Sequence, residues 1–182
     1  MKHKLIVLSG PSGVGKGTIV DRLLKSGGYS LSISCTTREK RPAEKDGISY
    51  FFISREEFVK KIQDGGFLEY SEHFGNLYGT PKDFVERKLK TNDVILEIEV
   101  NGALNVKKAY PEALLIMILP PSADELKNRL LKRGETELTI AERMKRLEYE
   151  LSKKHLYDGA VINDDLDEAV KEIETIINKS KK

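Results

Sequence analysis

The stretch "LIVLSGPSGVGKGTIVDRLLK", residues 5 to 25, constrains the fold more than any other part of the chain. A short apolar run, Leu5 to Leu8, leads into a glycine-rich loop from Gly10 to Thr18, and an amphipathic helical pattern follows at once. Through Gly10, Gly15 and Lys16 the loop matches the phosphate-binding motif, in the strand-loop-helix setting that the motif requires. Glycines are needed because backbone N–H groups must turn inward around phosphate oxygens while the following helix presents its positive end. Pro11, Ser12, Gly13, Val14, Gly17 and Thr18 complete the candidate cradle, and Lys16 would reach the terminal phosphates. Gly17 stands where many such loops carry a magnesium-binding Ser or Thr. Any Mg²⁺ would therefore be held largely by water and nucleotide, with Thr18 and an acid such as Glu97 assisting through water.

The rest of the chain repeats the alternation of strand and helix. Short apolar runs at "LIVL" (5–8), "VILEIEV" (94–100), "LLIMIL" (114–119) and "AVI" (160–162) are separated by amphipathic stretches. That order predicts an α/β fold with a parallel central sheet between helices. Helix starts are marked at Ser54 with Glu57, Thr80-Pro81 with Asp83, Ser122 with Glu125, and Asp165 before Leu166. Stops fall at Gly27-Gly28, Gly65-Gly66 and Pro111. Between about 31 and 80 the short aromatic segments "SYFFIS", "GFLEYSEHFG" and "NLYG" read as a small antiparallel sheet inserted in the core. A charged helical excursion, roughly 125–156, carries Arg129, Arg133, Arg143 and Arg146.

Composition narrows the function. The 182 residues suit one domain, and 31 Lys+Arg against 29 Asp+Glu leave a net charge of +2, so no global basic field advertises nucleic-acid binding. Any anion site must be local. One cysteine, Cys35, permits no intramolecular disulfide and makes a thiolate zinc site improbable. No run is long enough for a signal peptide or a membrane span, which predicts a soluble, cytoplasmic protein. His3, His73 and His155 are scattered without metal-ligand spacing. The oligomeric state is left open.

"SCTTREKRP", residues 34 to 42, supplies a second anion site. Arg38 and Arg41 can offer forked donors to a phosphate monoester, and Tyr50 and Tyr78 neutral ones. The alternative is a solvated loop beside a small aromatic sheet. The combination of "GPSGVGKGT", "SCTTREKRP", "DGISYFF", "FLEY", "GNLYGT", "ILEIEVNGA", "PPS", "NRLLKRGE", "IAERM" and "VINDDL" resembles guanylate kinase in order and spacing, over nearly the whole chain. The resemblance implies the three-layer phosphate-loop fold, with a core at 1–33, 81–124 and 157–182. It also implies a mixed-sheet GMP-binding insertion at about 34–80 and a helical lid at about 125–156. The implied reaction moves the γ-phosphate of ATP to GMP, and to dGMP in the same way, with Mg²⁺.

By this resemblance Arg38, Arg41, Tyr50 and Tyr78 hold the acceptor phosphate. Glu69 matches the guanine-reading glutamate, and Ser34 and Thr80 match positions that hydrogen-bond the base. The chemistry fits, because guanine presents a ring N–H beside an amino group, two donors that a carboxylate accepts in parallel. Glu69 could instead be a surface carboxylate, and Thr80 is also expected to cap a helix. Glu97 and Glu99 alternate with apolar residues and are expected on one strand face toward the crevice, organising magnesium waters or reading the base. Glu99 stands where the family usually has aspartate, and Asn101 where it usually has glutamine. Arg133 and Arg143 match lid positions, with Arg143 at the transferring phosphate and Arg129 and Arg133 nearer the donor. Arg146 is expected at the surface. The segment from Arg133 to Arg143 is one residue shorter than the family's pattern. Asn163 matches the reader of the donor adenine, or else marks a helix entry. Cys35 replaces a small residue, and either packs or makes activity oxidation-sensitive.

Three functions are weighed on these residues: the kinase, a phosphopeptide-binding module on the same fold, and a kinase for another nucleoside monophosphate. An intact Lys16 loop and retained lid arginines favour turnover over binding alone. Glu69 favours guanine.

Overall fold

A computed structural model describes residues 3–73 and 75–181. Five parallel strands form the central sheet: β1 (Leu5–Ser9), β2 (Tyr29–Leu31), β7 (Asp93–Glu97), β8 (Leu114–Leu119) and β9 (Gly159–Ile162), in the order β2-β7-β1-β8-β9. The apolar runs are continuous because both faces are covered. Ile6, Leu8, Ile95, Ile116 and Ile118 pack against α1 (Lys16–Ser26), α5 (Ala123–Lys132), α6 (Glu137–Ser152) and α7 (Leu166–Ser180). The alternate residues Leu5, Val7, Val94, Leu96 and Leu115 pack against α3 (Lys82–Lys88) and α4 (Val100–Ala109). β2 was not foreseen from the sequence: it is a three-residue edge strand with no apolar run to announce it.

The second sheet has four strands, β3 (Cys35–Thr36), β4 (Phe51–Phe52), β5 (Phe67–His73) and β6 (Asn76–Pro81), in the order β4-β3-β6-β5. The aromatic segments alone suggested an antiparallel sheet, but the sheet is mixed, as the resemblance implied, because β3 and β4 run parallel while β3 and β6 run antiparallel. Their connection passes through the long loop from 37 to 50, which is ample for a crossover. α2 (Arg55–Gln63) backs this sheet through Phe58, whose ring stacks on Phe67 at 4.4 Å between centroids.

Caps follow the sequence in most places. Ser54 and Glu57 form a reciprocal capping box, and the Asp165 carboxylate accepts from Glu168 N. Ser122 caps α5, but the Glu125 carboxylate turns to Arg129 instead of completing the box. Thr80 is a correction. It lies inside β6, α3 starts after Pro81 with no side-chain cap, and the Thr80 hydroxyl donates to Glu69. "VILEIEV" is a second correction, because the strand ends at Glu97 and α4 begins at Val100. Among the described residues, no helix is long and apolar enough to cross a membrane.

Candidate active site

The glycine loop lies between β1 and α1, at the carboxyl end of the parallel strands, where open α/β sheets bind ligands. Gly15 adopts φ 98° as the N-cap of α1, and no side chain caps the helix. A Cβ at Gly15 would overlap Asn163 Nδ2, so glycine is demanded by space as well as by backbone conformation. The Asn163 amide in turn donates to Val14 O at 2.8 Å, bracing the loop from the end of β9. Lys16 Nζ is held by Gly10 O at 2.7 Å and Pro11 O at 3.0 Å. Burial lowers the Lys16 pKa, and the Glu97 and Glu150 carboxylates oppose that shift.

A cleft of about 280 Å³ opens beside the loop, lined by Gly10, Ser12, Lys16, Glu97, Glu99 and Arg143, with Arg146 and Glu150 on its α6 wall. Glu97 and Glu99 do not share a strand face as the alternation suggested. Glu99 is the N-cap of α4, its carboxylate accepting from Asn101 N at 2.9 Å and Gly102 N at 2.6 Å. Desolvation in the cleft raises the Glu97 carboxyl, and Lys16 opposes it. A Cβ at Gly17 would lie 3.7–3.8 Å from the Glu97 oxygens, so the place of the missing loop hydroxyl adjoins this carboxylate. Thr18 is exposed. Arg146 is exposed, as expected, and also lines the cleft, with Nε 4.0 Å from Glu150 Oε1.

The α5–α6 arginines converge on the loop. Arg143 Nη1 reaches Ser12 Oγ, and its Nε donates to Glu135 Oε2 at 2.6 Å. Arg129 Nη1 donates to Asn163 O at 3.1 Å. Arg133, the C-cap of α5, is exposed and close enough to act on the charges of Lys16 and Glu97.

On the small sheet, Glu69 in β5 is 7% exposed and accepts from Thr80 Oγ1 at 2.7 Å. Burial pushes its carboxyl up to about 7, with the Thr80 hydrogen bond opposing. Gly102 lets α4 approach closely: a Cβ there would be 3.0 Å from Glu69 Oε2 and 3.3 Å from Glu99 Oε1. Nothing in the sequence singles out Gly102, because the contact joins segments far apart in the chain.

Arg38 Nη2 binds Glu44 Oε1 at 2.7 Å, and its guanidinium carbon lies 5.7 Å from the centre of the Tyr50 ring. Tyr50 and Tyr78 meet edge to face at 6.0 Å. Arg41 joins only through its backbone, its N–H donating to Glu44 Oε2 at 2.9 Å, while the side chain is exposed. Ser34 is half-buried at the start of β3. Glu44, also missed in the sequence, takes the Arg38 Nη2 donor, while Nη1 donates to Glu39 O at 2.6 Å, so both terminal nitrogens of Arg38 are engaged within the protein. Cys35 points away from this group into the Phe58 cluster, and burial pushes its thiol up to about 11, so it packs and offers no reactive thiolate. Of the three histidines, the His73 side chain lies outside the described residues. Among those residues no cluster of three or more His, Cys, Asp or Glu could hold a metal.

A glycine-rich loop on a parallel sheet, with arginines facing it and an arginine–tyrosine cluster on a small second sheet, is the arrangement of the nucleoside monophosphate kinase class of phosphotransferases. The family model "Guanylate kinase" matches residues 2–180. A guanylate kinase of Clostridium tetani is 50% identical over 182 residues, spanning 99% of this chain and 88% of the relative. One of Thermus thermophilus is 47% identical over 184 residues, spanning 100% of this chain and 84% of the relative. The crystal structure of guanylate kinase from Anaplasma phagocytophilum superposes with a TM-score of 0.80 at 32% identity, covering 99% of this chain and 87% of that one. The chain belongs to the guanylate kinase family.

Proposed function

We infer that this family member transfers the γ-phosphate of ATP to GMP, and to dGMP, giving ADP and the guanine nucleoside diphosphate. The observation that carries the reading is one cleft faced by Lys16 of the loop and by Glu99, which shares Gly102 with the base-side carboxylate Glu69. Glu69 itself does not line that cleft, but through Gly102 it adjoins Glu99, which does.

In this reading the loop from Gly10 to Thr18 cradles the ATP phosphates, and Lys16 leaves the Gly10 and Pro11 carbonyls to bind the terminal ones. Arg129 and Asn163 border the donor base. Arg38, Arg41, Tyr50 and Tyr78 take the acceptor phosphate, for which Arg38 must release Glu44. Glu69 accepts the paired guanine donors in its ionised form, with Ser34, Thr80 and Glu99 around the base. Arg133 and Arg143 neutralise charge on the moving group and exclude water, which is most of what phosphoryl transfer asks of a protein. The division into a core, an acceptor insertion at about 34–80 and a lid at about 125–156 follows from these roles.

The donor set fits Mg²⁺, because Glu97 offers hard oxygen beside the loop and Mg²⁺ commonly takes few protein ligands. Glu97, with Thr18, would hold it through water, and it would supply charge neutralisation for the nucleotide phosphates. Cytoplasmic residence accords with small-molecule nucleotide substrates.

The test is ADP release with ATP, Mg²⁺ and GMP in the native protein, Lys16→Ala and Arg38→Ala. Turnover should fall by about 10² or more in both variants, with the KM for GMP rising in Arg38→Ala only. Absence of ADP release by native protein that still binds GMP would contradict the reading.

A further inference from the structure

Two arginines of the α5–α6 unit are held in the same manner. Arg129 Nε donates to Glu125 Oε1 at 3.0 Å while Nη1 reaches Asn163 O. Arg143 Nε donates to Glu135 Oε2 at 2.6 Å while Nη1 reaches Ser12 Oγ of the phosphate loop. In each case a glutamate from the same helical unit takes one edge of the guanidinium. The terminal nitrogens are left facing the loop or the residue that braces it. A guanidinium is a planar fork, so anchoring Nε sets the directions of the remaining donors.

Glu125 is on the same helix as its arginine, one turn away, a pairing that any exposed helix could show. Glu135 is different, because it is placed by two helix ends. Gly134 at φ 78° closes α5, its N–H donating to Leu131 O at 2.9 Å, and Glu135 N donates to Leu130 O at 3.3 Å. That is the double hydrogen bond of a Schellman turn. Thr136 then caps α6, its hydroxyl accepting from Thr139 N. Glu135 is the single residue between the turn's glycine and the next cap, so its backbone has little freedom. Its neighbours Leu131–Gly134 and Thr136–Leu138 are exposed, whereas the Glu135 side chain is folded inward to 20% exposure.

We propose that Glu135 is a positioning residue for the transfer step: by binding Arg143 Nε from a rigid interhelical turn, it aims the terminal nitrogens of Arg143 at the transferring phosphate. The proposal rests on the reading of Arg143 given above. Glu135 also places a negative charge at the Nε side of Arg143, whose positive charge acts against that of Lys16. A preset direction matters here because a misplacement of about 1 Å can lower a rate by about 10².

The experiment compares kcat, both KM values and Tm for native protein, Glu135→Ala, Glu135→Gln, Arg143→Ala and the double Ala variant. Glu135→Ala should lower kcat about tenfold with both KM values within about twofold and Tm unchanged. Glu135→Gln, whose amide oxygen still accepts from Nε, should recover most of that loss. The double variant should be no slower than Arg143→Ala, because the two residues act as one unit. Native kcat in Glu135→Ala beside a slow Arg143→Ala would overturn the proposal alone. So would losses that multiply in the double variant, or a fall in kcat and Tm together that Gln does not relieve. Native kcat in Arg143→Ala would remove the underlying assignment of Arg143 instead.

Discussion

Glu69 is where burial and chemistry meet most directly. Its carboxyl sits near 7 because burial disfavours the charged form more than Thr80 restores it. In the proposed function guanine needs that carboxylate ionised, so GMP binding by the free enzyme should release a proton at neutral pH. kcat/KM for GMP should therefore rise with pH through about 7. In Glu69→Gln that limb should vanish, leaving the phosphate monoester's own titration near about 6. A matching limb in the variant would refute the assignment. The stability sign runs the other way. The raised carboxyl favours the folded state below the unfolded value of 4.5, and that contribution is lost as pH rises through about 7. Glu69→Gln should then melt above native protein at pH 8, with the gap closing toward pH 4.5, read from Tm against pH. The expectation that Glu69 reads the base came from the order of motifs along the chain. Its burial and its hydrogen bond from Thr80 could not, because the strand register that creates them joins β5 to β6 across a turn.

At the scale of elements, legibility tracked locality. The glycine loop, the Ser54 box and the Asp165 cap are written within a few residues, and each forms as its spacing says. The end of β7 was misread because Glu97-Ile98-Glu99-Val100 keeps a two-residue alternation across a strand end and a helix cap. Periodicity cannot separate those two conformations over so few positions. Distance along the chain hid Gly102, whose role lies in the packing of α4 on β5. Gly102→Ala should improve intrinsic helix propensity while crowding the Glu69 and Glu99 carboxylates. The expected result is a KM for GMP raised about tenfold, with Tm held or slightly raised, measured by acceptor kinetics and thermal melting. An unchanged KM would mean the two carboxylates move aside without consequence for the base.

For the whole molecule, the family and its α/β architecture were readable from motif order, since the parallel sheet follows from alternating apolar and amphipathic segments. The convergence of Arg143, Arg146 and Glu150 on Lys16 was not, because α6 meets the loop only through the tertiary fold. Glu44 on Arg38 and the carbonyls on Lys16 show a site whose cations are already engaged before phosphate arrives. Ligand binding must exchange those partners, so affinity for either nucleotide reports a difference and not a sum of contacts. In the proposed function, specificity of the whole molecule depends on the Glu69 carboxylate reading one base. The most direct measurement is kcat/KM with GMP, dGMP, AMP, CMP and UMP as acceptors, in native protein and in Glu69→Gln. The account predicts selectivity for guanine by about 10⁴ or more in the native protein, largely lost in the variant because guanine turnover falls. Comparable rates for guanine and adenine nucleotides in the native protein would contradict it.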